Sequence, residues 1–192
     1  MSPLSEAERR ALLELARRAL TEAVLHGNML DVPPPAGRLA DPAGVFVSIH
    51  HEGRLRGCLG QVEAGLSVAE AVARCAISVS RDDPRFDPVR AEELAGLEIE
   101  ISVLSPLEPI MPEQIEVGRH GLLVRCGPFR GLLLPQVPTR YHWSRERFLE
   151  ETCVKAGLPR DAWKNPDSRI EAFTAEVFSE AGTHAKPHAQ AS

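Results

Sequence analysis

The stretch Leu97-Glu-Ile-Glu-Ile-Ser-Val-Leu104 alternates without a break. Leu97, Ile99, Ile101 and Val103 share one side, while Glu98, Glu100 and Ser102 share the other. A period of two with one apolar side marks a strand that lies on a core with one face and shows polar groups on the other. Two more strands, Val45–His50 and Arg54–Leu59, are joined through His51-Glu-Gly53 as a hairpin. Leu122–Cys126 and Leu132–Leu134 suggest a second hairpin around Gly127–Gly131, and Ile170–Phe178 reads as a final strand.

Helix signals are mixed among these strands, without a regular βαβ alternation. Ser5 and Glu8 form a capping-box pattern, Gly27 supplies a stop, and Leu12, Leu13, Ala16, Leu20, Ala23 and Val24 recur at helical spacing between them. Ser67 and Glu70 repeat the pattern ahead of Val68, Val72, Cys75 and Val79. Ser144 opens a third helix carrying Phe148, Leu149 and Cys153, closed by Gly157 with Pro159 behind it. Residues 31–44 and 81–88 are Pro-rich connectors, barred from helix interiors and regular ladders. Short connections make the strand pairs antiparallel, so the fold class is α+β.

A chain of 192 residues, 43% hydrophobic, makes one domain or two small lobes and buries an ordinary core. No apolar run approaches the roughly 20 residues needed to span a bilayer. The opening Met1-Ser-Pro-Leu-Ser-Glu lacks the basic and apolar regions of a secretory signal. Cysteines at 58, 75, 126 and 153 form no C-x-x-C pair, and free thiols suit a reducing compartment, so a cytoplasmic location is expected. A net charge of −5 and only 5% aromatic residues disfavour a generic nucleic-acid binder. Charge is nevertheless uneven. Residues 92–116 hold seven Glu and no Lys, Arg or Asp, and residues 119–147 hold six Arg against Glu146 alone. Such runs serve either as a recognition surface or as solvated faces that interleave on folding.

The candidate chemistry centres on Leu55-Arg-Gly-Cys-Leu-Gly60. On a regular strand Arg56 and Cys58 point the same way, about 7 Å apart, with Leu55 and Leu59 on the core side. Gly57 and Gly60 in a strand suggest a bulge or a close approach by a ligand. A guanidinium beside Cys58 would favour its thiolate, a nucleophile or metal ligand; the plainer reading is a small buried cysteine behind a tight turn. His120, flanked by Gly118 and Gly121, can act as the base and Glu100 as its orienter. Arg85 either binds an anion or bridges to Asp83 and pins its own loop. Gln136, between Pro135 and Pro138, faces a pocket or satisfies backbone groups. His50 and His51 point to opposite faces of one strand and cannot chelate jointly; no metal or nucleotide-cofactor motif is present, so no cofactor is expected.

Together these segments resemble the AMMECR family, called AmmeMemoRadiSam system protein A in prokaryotes. Leu55–Gly60 is similar to its L-R-G-C-I-G hexapeptide, with Leu59 in place of Ile. Arg81-Asp-Asp-Pro-Arg-Phe86 carries one acid more than the usual R-D-P-R-F. Glu98–Leu104, His120-Gly-Leu, Leu134-Pro-Gln-Val137 and Lys155-Ala-Gly-Leu158 follow in the expected order, and the resemblance spans residues 6–179. It implies a two-lobed fold with antiparallel sheets flanked by helices and a cleft between the lobes near the hexapeptide, as a single domain over residues 1–179; the Ala-, His- and Pro-rich end, 180–192, reads from its composition as a flexible tail. It also implies a Memo-like protein and a radical S-adenosylmethionine protein as partners. No reaction comes with the family, so whether the chain is an enzyme stays open. An accessory or binding component is one reading. The other is a cysteine-dependent enzyme acting on a small molecule or peptide in the cleft, with Cys58, His120 and Glu100 catalytic and Arg56, Gly57, Gly60, Arg85 and Gln136 lining the site.

Overall fold

A computed structural model describes residues 3–182. The expected tail therefore lies, from residue 183 onward, outside the described residues. The described residues form two compact units, residues 3–104 with 176–182, and residues 105–175. Both are built on antiparallel sheets with helices packed against them.

The first unit starts with α1 (Glu6–His26), capped by Ser5 in a capping box with Glu8 and stopped at Gly27, which adopts φ 69°. Left-handed backbone at a helix end favours glycine because no Cβ opposes it. Strands β1 (Val45–His51) and β2 (Arg54–Gln61) form the hairpin. Its turn places Glu52 and Gly53 at φ 51° and 73°, as a two-residue type I′ connection demands. Helix α2 (Val68–Val79) has nine of its twelve residues buried, because it lies between α1 and the sheet. Strand β3 (Leu97–Leu104) pairs with β1, and β8 (Ala175–Ser179) completes the order β2-β1-β3-β8.

Strand β2 is thus an edge of this sheet and β1 its interior. Val45, Val47, Ile49, Ile99 and Ile101 are fully buried on the helix side, with α1 and α2 supplying the rest of the core. The alternation seen in residues 97–104 is realised directly. Salt bridges tie the last strand to α1: Arg9 to Glu176 at 3.3 Å, and Arg17 to Glu180 just beyond the strand.

The second unit has the order β4-β7-β5-β6, from β4 (Glu108–Pro109), β5 (Gly121–Cys126), β6 (Phe129–Leu133) and β7 (Arg169–Phe173). Helices α3 (Gln136–Arg140) and α4 (Arg145–Lys155) follow the β5–β6 hairpin. Leu122, Phe148, Leu149, Ile115 and Ala172 form its core.

Two expectations are corrected. The second hairpin turns within Gly127-Pro128, since Phe129 already pairs with Cys126; a glycine at φ 56° followed by proline fits a tight II′-type turn. The single final strand breaks at Thr174, where the chain leaves one sheet and enters the other. Residues 136–140 form a short helix despite Pro138, because a proline within the first turn forfeits no intrahelical bond. Among the described residues no helix is long and apolar enough to cross a membrane.

Candidate functional site

The hexapeptide lies on edge strand β2, and a bulge there reshapes it. Ile49 pairs with Gly57 while His50 pairs with Leu55, so Arg56 is the inserted residue. The insertion breaks the alternation on which the expected Arg56–Cys58 face rested. Leu59 stays on the core side opposite Val47, but Leu55 is moved to the face of His50.

The loop at 81–88 is fastened to this strand. The buried Asp83 carboxylate accepts the Cys58 backbone N–H at 2.9 Å and the Arg85 guanidinium at 2.7 and 2.9 Å. Arg85 in turn donates to the Cys58 carbonyl at 3.2 Å. Both outward backbone groups of Cys58, which an edge strand leaves without a ladder partner, are thereby satisfied by one acid–base pair. Two donors hold the Asp83 carboxyl far below the usual carboxylate range, the Arg85 side chain most strongly and the Cys58 N–H less so. Phe86 lies under both Arg56 and Arg85, at 5.9 and 5.4 Å from ring centre to guanidinium. Arg56 is committed to Glu93 by hydrogen bonds of 2.8 and 3.2 Å.

The polar face of the sheet carries a row that the linear sequence conceals. Cys58 stands opposite Ser48, and Ser48 stands opposite Glu100. His50, opposite Glu98, flanks it on the same face. Burial pushes the Cys58 thiol up from the ordinary cysteine range. A hydrogen bond with Ser48 and the charge of Arg85 oppose that shift only in part, and Asp83 and Glu100 add to it. The expected direction, a thiolate favoured by Arg56, is therefore reversed, because Arg56 is turned to Glu93 and the thiol is desolvated. Burial likewise pushes the Glu100 carboxyl up, against the pull of His50. The row sets a desolvated thiol, a hydroxyl and a desolvated carboxyl side by side on one face of the sheet.

The glycines answer to packing within the protein. A Cβ on Gly57 would come within 3.0–3.2 Å of Val79 and Ile49, and one on Gly60 within 2.3 Å of the Val45 carbonyl and 2.4 Å of the Phe46 ring. Beyond the clamp the edge changes character. Because the Cys58 N–H points away from β1, the alternation of an antiparallel ladder turns the N–H and C=O of Gly60 away from β1 as well. Exposed Gly60 adjoins an open recess of about 390 Å³ lined by Leu59, Gln61, Arg74, Cys75 and Ser78. A second recess, about 440 Å³, is lined by Arg56, Asp87, Pro88, Arg90, Glu92 and Glu93.

His120 and Gln136 belong to the second unit. The His120 Nδ1 accepts the Glu116 backbone N–H at 3.1 Å, closing a turn before β5, and Gln136 is exposed at the start of α3. Much of the arginine run is answered by acids: Arg119 by Glu116, Arg125 by Glu171, and Arg147 by Glu150 and Glu151. All four cysteines are free, and among the described residues no group of three or more His, Cys, Asp or Glu is placed to hold a metal ion. Sequence reasoning missed Ser48, His50 and the part played by Asp83. The polar positions of β1 and the one buried acid of the 81–88 loop were the only signals for them.

Residues 13–178 match the AMMECR1 family model. The chain is 44% identical to the protein TK0174 of Thermococcus kodakarensis over 181 residues, covering 88% of each chain. It is 42% identical to a protein of Methanothermobacter thermautotrophicus over 191 residues, covering 94% of this chain and 98% of that one. The crystal structure of the uncharacterised protein PH0010 from Pyrococcus horikoshii superposes with a TM-score of 0.83 at 43% identity, over 88% of this chain and 90% of that one. A match across nearly the whole folded length, together with the same fold, means that the chain belongs to the AMMECR1 family.

Proposed function

We propose that the chain is a binding component that receives an extended segment of a partner protein at the open end of β2. The observation that carries this is the contrast along one edge. Asp83 and Arg85 occupy the outward groups of Cys58, while those of Gly60, bare of any side chain, open onto a recess. Main-chain pairing at an exposed edge supplies affinity and the adjoining recess supplies selectivity. The Memo-like and radical S-adenosylmethionine proteins implied by the family resemblance are the partners to try. The raised Cys58 thiol supports binding over nucleophilic chemistry, because a protonated thiol is a poor nucleophile near neutral pH.

Amide exchange of isotopically labelled protein tests the reading. The Gly60 N–H exchanges fast in the free chain and slows when the Memo-like partner is added; the Cys58 N–H, bonded to Asp83, is slow in both. A Gly60 amide that is already protected in the free chain rules out the open edge. The alternative, cysteine-dependent catalysis, draws on the Cys58–Ser48–Glu100 row and on the expected base His120. It requires Cys58 to alkylate rapidly below pH 7 and to lose that rate in Arg56→Ala. We expect alkylation of Cys58, followed by peptide mapping, to keep rising above about pH 9 and to ignore Arg56→Ala.

A further inference from the structure

Residues 140–145, Arg-Tyr-His-Trp-Ser-Arg, form a feature of the second unit that the β2 edge does not use. The rings of Tyr141 and Trp143 are stacked, 5.2 Å between centroids and 19° from parallel. Trp143 packs on the core of its unit, while Tyr141, 60% exposed, forms the outer layer. Between them His142 has φ 52°, a left-handed conformation that costs a non-glycine residue of order 1–3 kcal/mol. It is the C′ residue of a Schellman cap that ends α3, with its N–H on the Thr139 carbonyl at 3.2 Å and the Trp143 N–H on the Pro138 carbonyl at 2.9 Å. Exposed aromatic rings are ordinarily scattered singly; a pair stacked outward with one face bare is a platform.

Two arginines, Arg140 and Arg145, flank the aromatic pair in the sequence. Arg145 donates to the Glu113 carbonyl at 2.7 Å, and among the described residues neither Arg140 nor Arg145 has a carboxylate partner. The nearby Glu146 faces Lys164 at 3.9 Å, and Glu116 holds Arg119. The balance of the whole chain is misleading here. Residues 105–175 hold ten Lys and Arg against nine Asp and Glu, whereas the rest holds twelve against eighteen. The second unit thus carries +1 and the rest of the chain −6, which together make the −5 of the chain.

We propose that Tyr141 and Trp143, with Arg140 and Arg145, bind a nucleobase and its phosphate, the base stacking on the bare face of Tyr141. Aromatic stacking accepts any base because every base has a π-face, and guanidinium groups without carboxylate partners suit phosphate oxygens. A free nucleotide and a single strand share this chemistry, and one titration separates them.

The full chain is titrated with AMP, UMP and short oligo(A) and oligo(U) RNA in about 50 mM salt, following quenching of tryptophan fluorescence. Trp143 is one of two tryptophans, so quenching is partial and saturable. Tyr141→Ala weakens binding about ten-fold or more, and Tyr141→Phe, which keeps the ring, binds like wild type. For the oligomers, replacing both Arg140 and Arg145 by Ala reduces the slope of log K against log salt by about 1.4, two phosphate contacts at roughly 0.7 each. Equal quenching by mononucleotides and oligomers identifies a free nucleotide as the ligand; quenching by oligomers alone identifies a strand. No saturable quenching by either, or binding undiminished in a Tyr141→Ala protein with wild-type circular dichroism, overturns the proposal.

Discussion

Replacing Asp83 tests whether one buried carboxylate secures the hexapeptide edge. Its side chain is 2% exposed and accepts the Cys58 N–H at 2.9 Å. It also accepts the Arg85 backbone N–H at 3.2 Å and the Arg85 guanidinium at 2.7 Å. The Arg85 side chain is 52% exposed, so water replaces much of that pairing and its share is under about 1 kcal/mol. A hydrogen bond from a backbone N–H to a charged acceptor contributes about 1.5–3 kcal/mol. Asp83→Ala is expected to cost about 2–4 kcal/mol, and Asp83→Asn, which keeps an acceptor but no charge, about half of that. The measurement is urea unfolding followed by far-ultraviolet circular dichroism. Fluorescence is the wrong probe, because both tryptophans belong to the second unit while α1 and α2 belong to the first. The pH dependence adds a second check. The folded carboxyl lies below its unfolded value of about 3.9, so its stabilisation is complete above that value and is lost as pH falls toward the folded pKa. The gap between wild type and Asp83→Asn should be flat above about pH 5 and close below about pH 4. An Asp83→Ala protein within about 0.5 kcal/mol of wild type refutes the clamp.

Glu100 carries the opposite sign. Its folded pKa is raised by burial, so ionisation costs stability as pH rises from the unfolded value near 4.3 through the folded one. Glu100→Gln should melt higher than wild type at pH 7 and lose that advantage in acid; equal melting temperatures at both pH values count against a desolvated carboxyl. Glycine substitutions separate close approach from open space. A Cβ at Gly131 would stand 2.4 Å from the Ala156 nitrogen and 2.6 Å from the Thr152 carbonyl, so β6 lies against the α4 backbone, and Gly131→Ala should cost about 1–3 kcal/mol by fluorescence-monitored unfolding. Gly65 has nothing within 4 Å of that position, and Gly65→Ala should fall within about 0.5 kcal/mol of wild type.

The helices were legible in the sequence because their signals are local. Ser5 with Glu8 and Ser67 with Glu70 fix helix starts within four residues, and both capping boxes form as written. The alternation of residues 97–104 fixed a strand and its faces for the same reason. The bulge was legible only as a possibility. Gly57 permitted one, but its position depends on which residue of β1 lies opposite, and it moved Leu55 to the other face. Arg56 was placed beside Cys58 by strand periodicity, which takes no account of an acid 37 residues away; Glu93 captured it. The row Cys58–Ser48–Glu100 was invisible because it runs across three strands, and cross-strand register is set by the assembled sheet. The Asp83–Arg85 bridge was one of two readings that their spacing allowed, and the Cys58 backbone that the pair serves lies 25 residues back.

That last link changes how the two segments should be interpreted together. Residues 55–60 and 81–86 look like separate motifs, and a cysteine flanked by arginines invites a catalytic reading of each. In the fold they are two halves of one edge: the loop supplies the acceptor and donor that Cys58 lacks, and its Phe86 ring lies within cation–π distance of both arginines. The backbone of Cys58 is held by Asp83 whatever its side chain, so Cys58→Ser should leave the clamp intact while Asp83→Ala opens it. If the chain acts by binding, Asp83→Ala impairs partner capture and Cys58→Ser does not. If it acts through the thiol, the order of severity inverts, and Cys58→Ser is the damaging change in a protein of unaltered stability. The pair of substitutions therefore distinguishes edge from nucleophile without knowledge of a substrate.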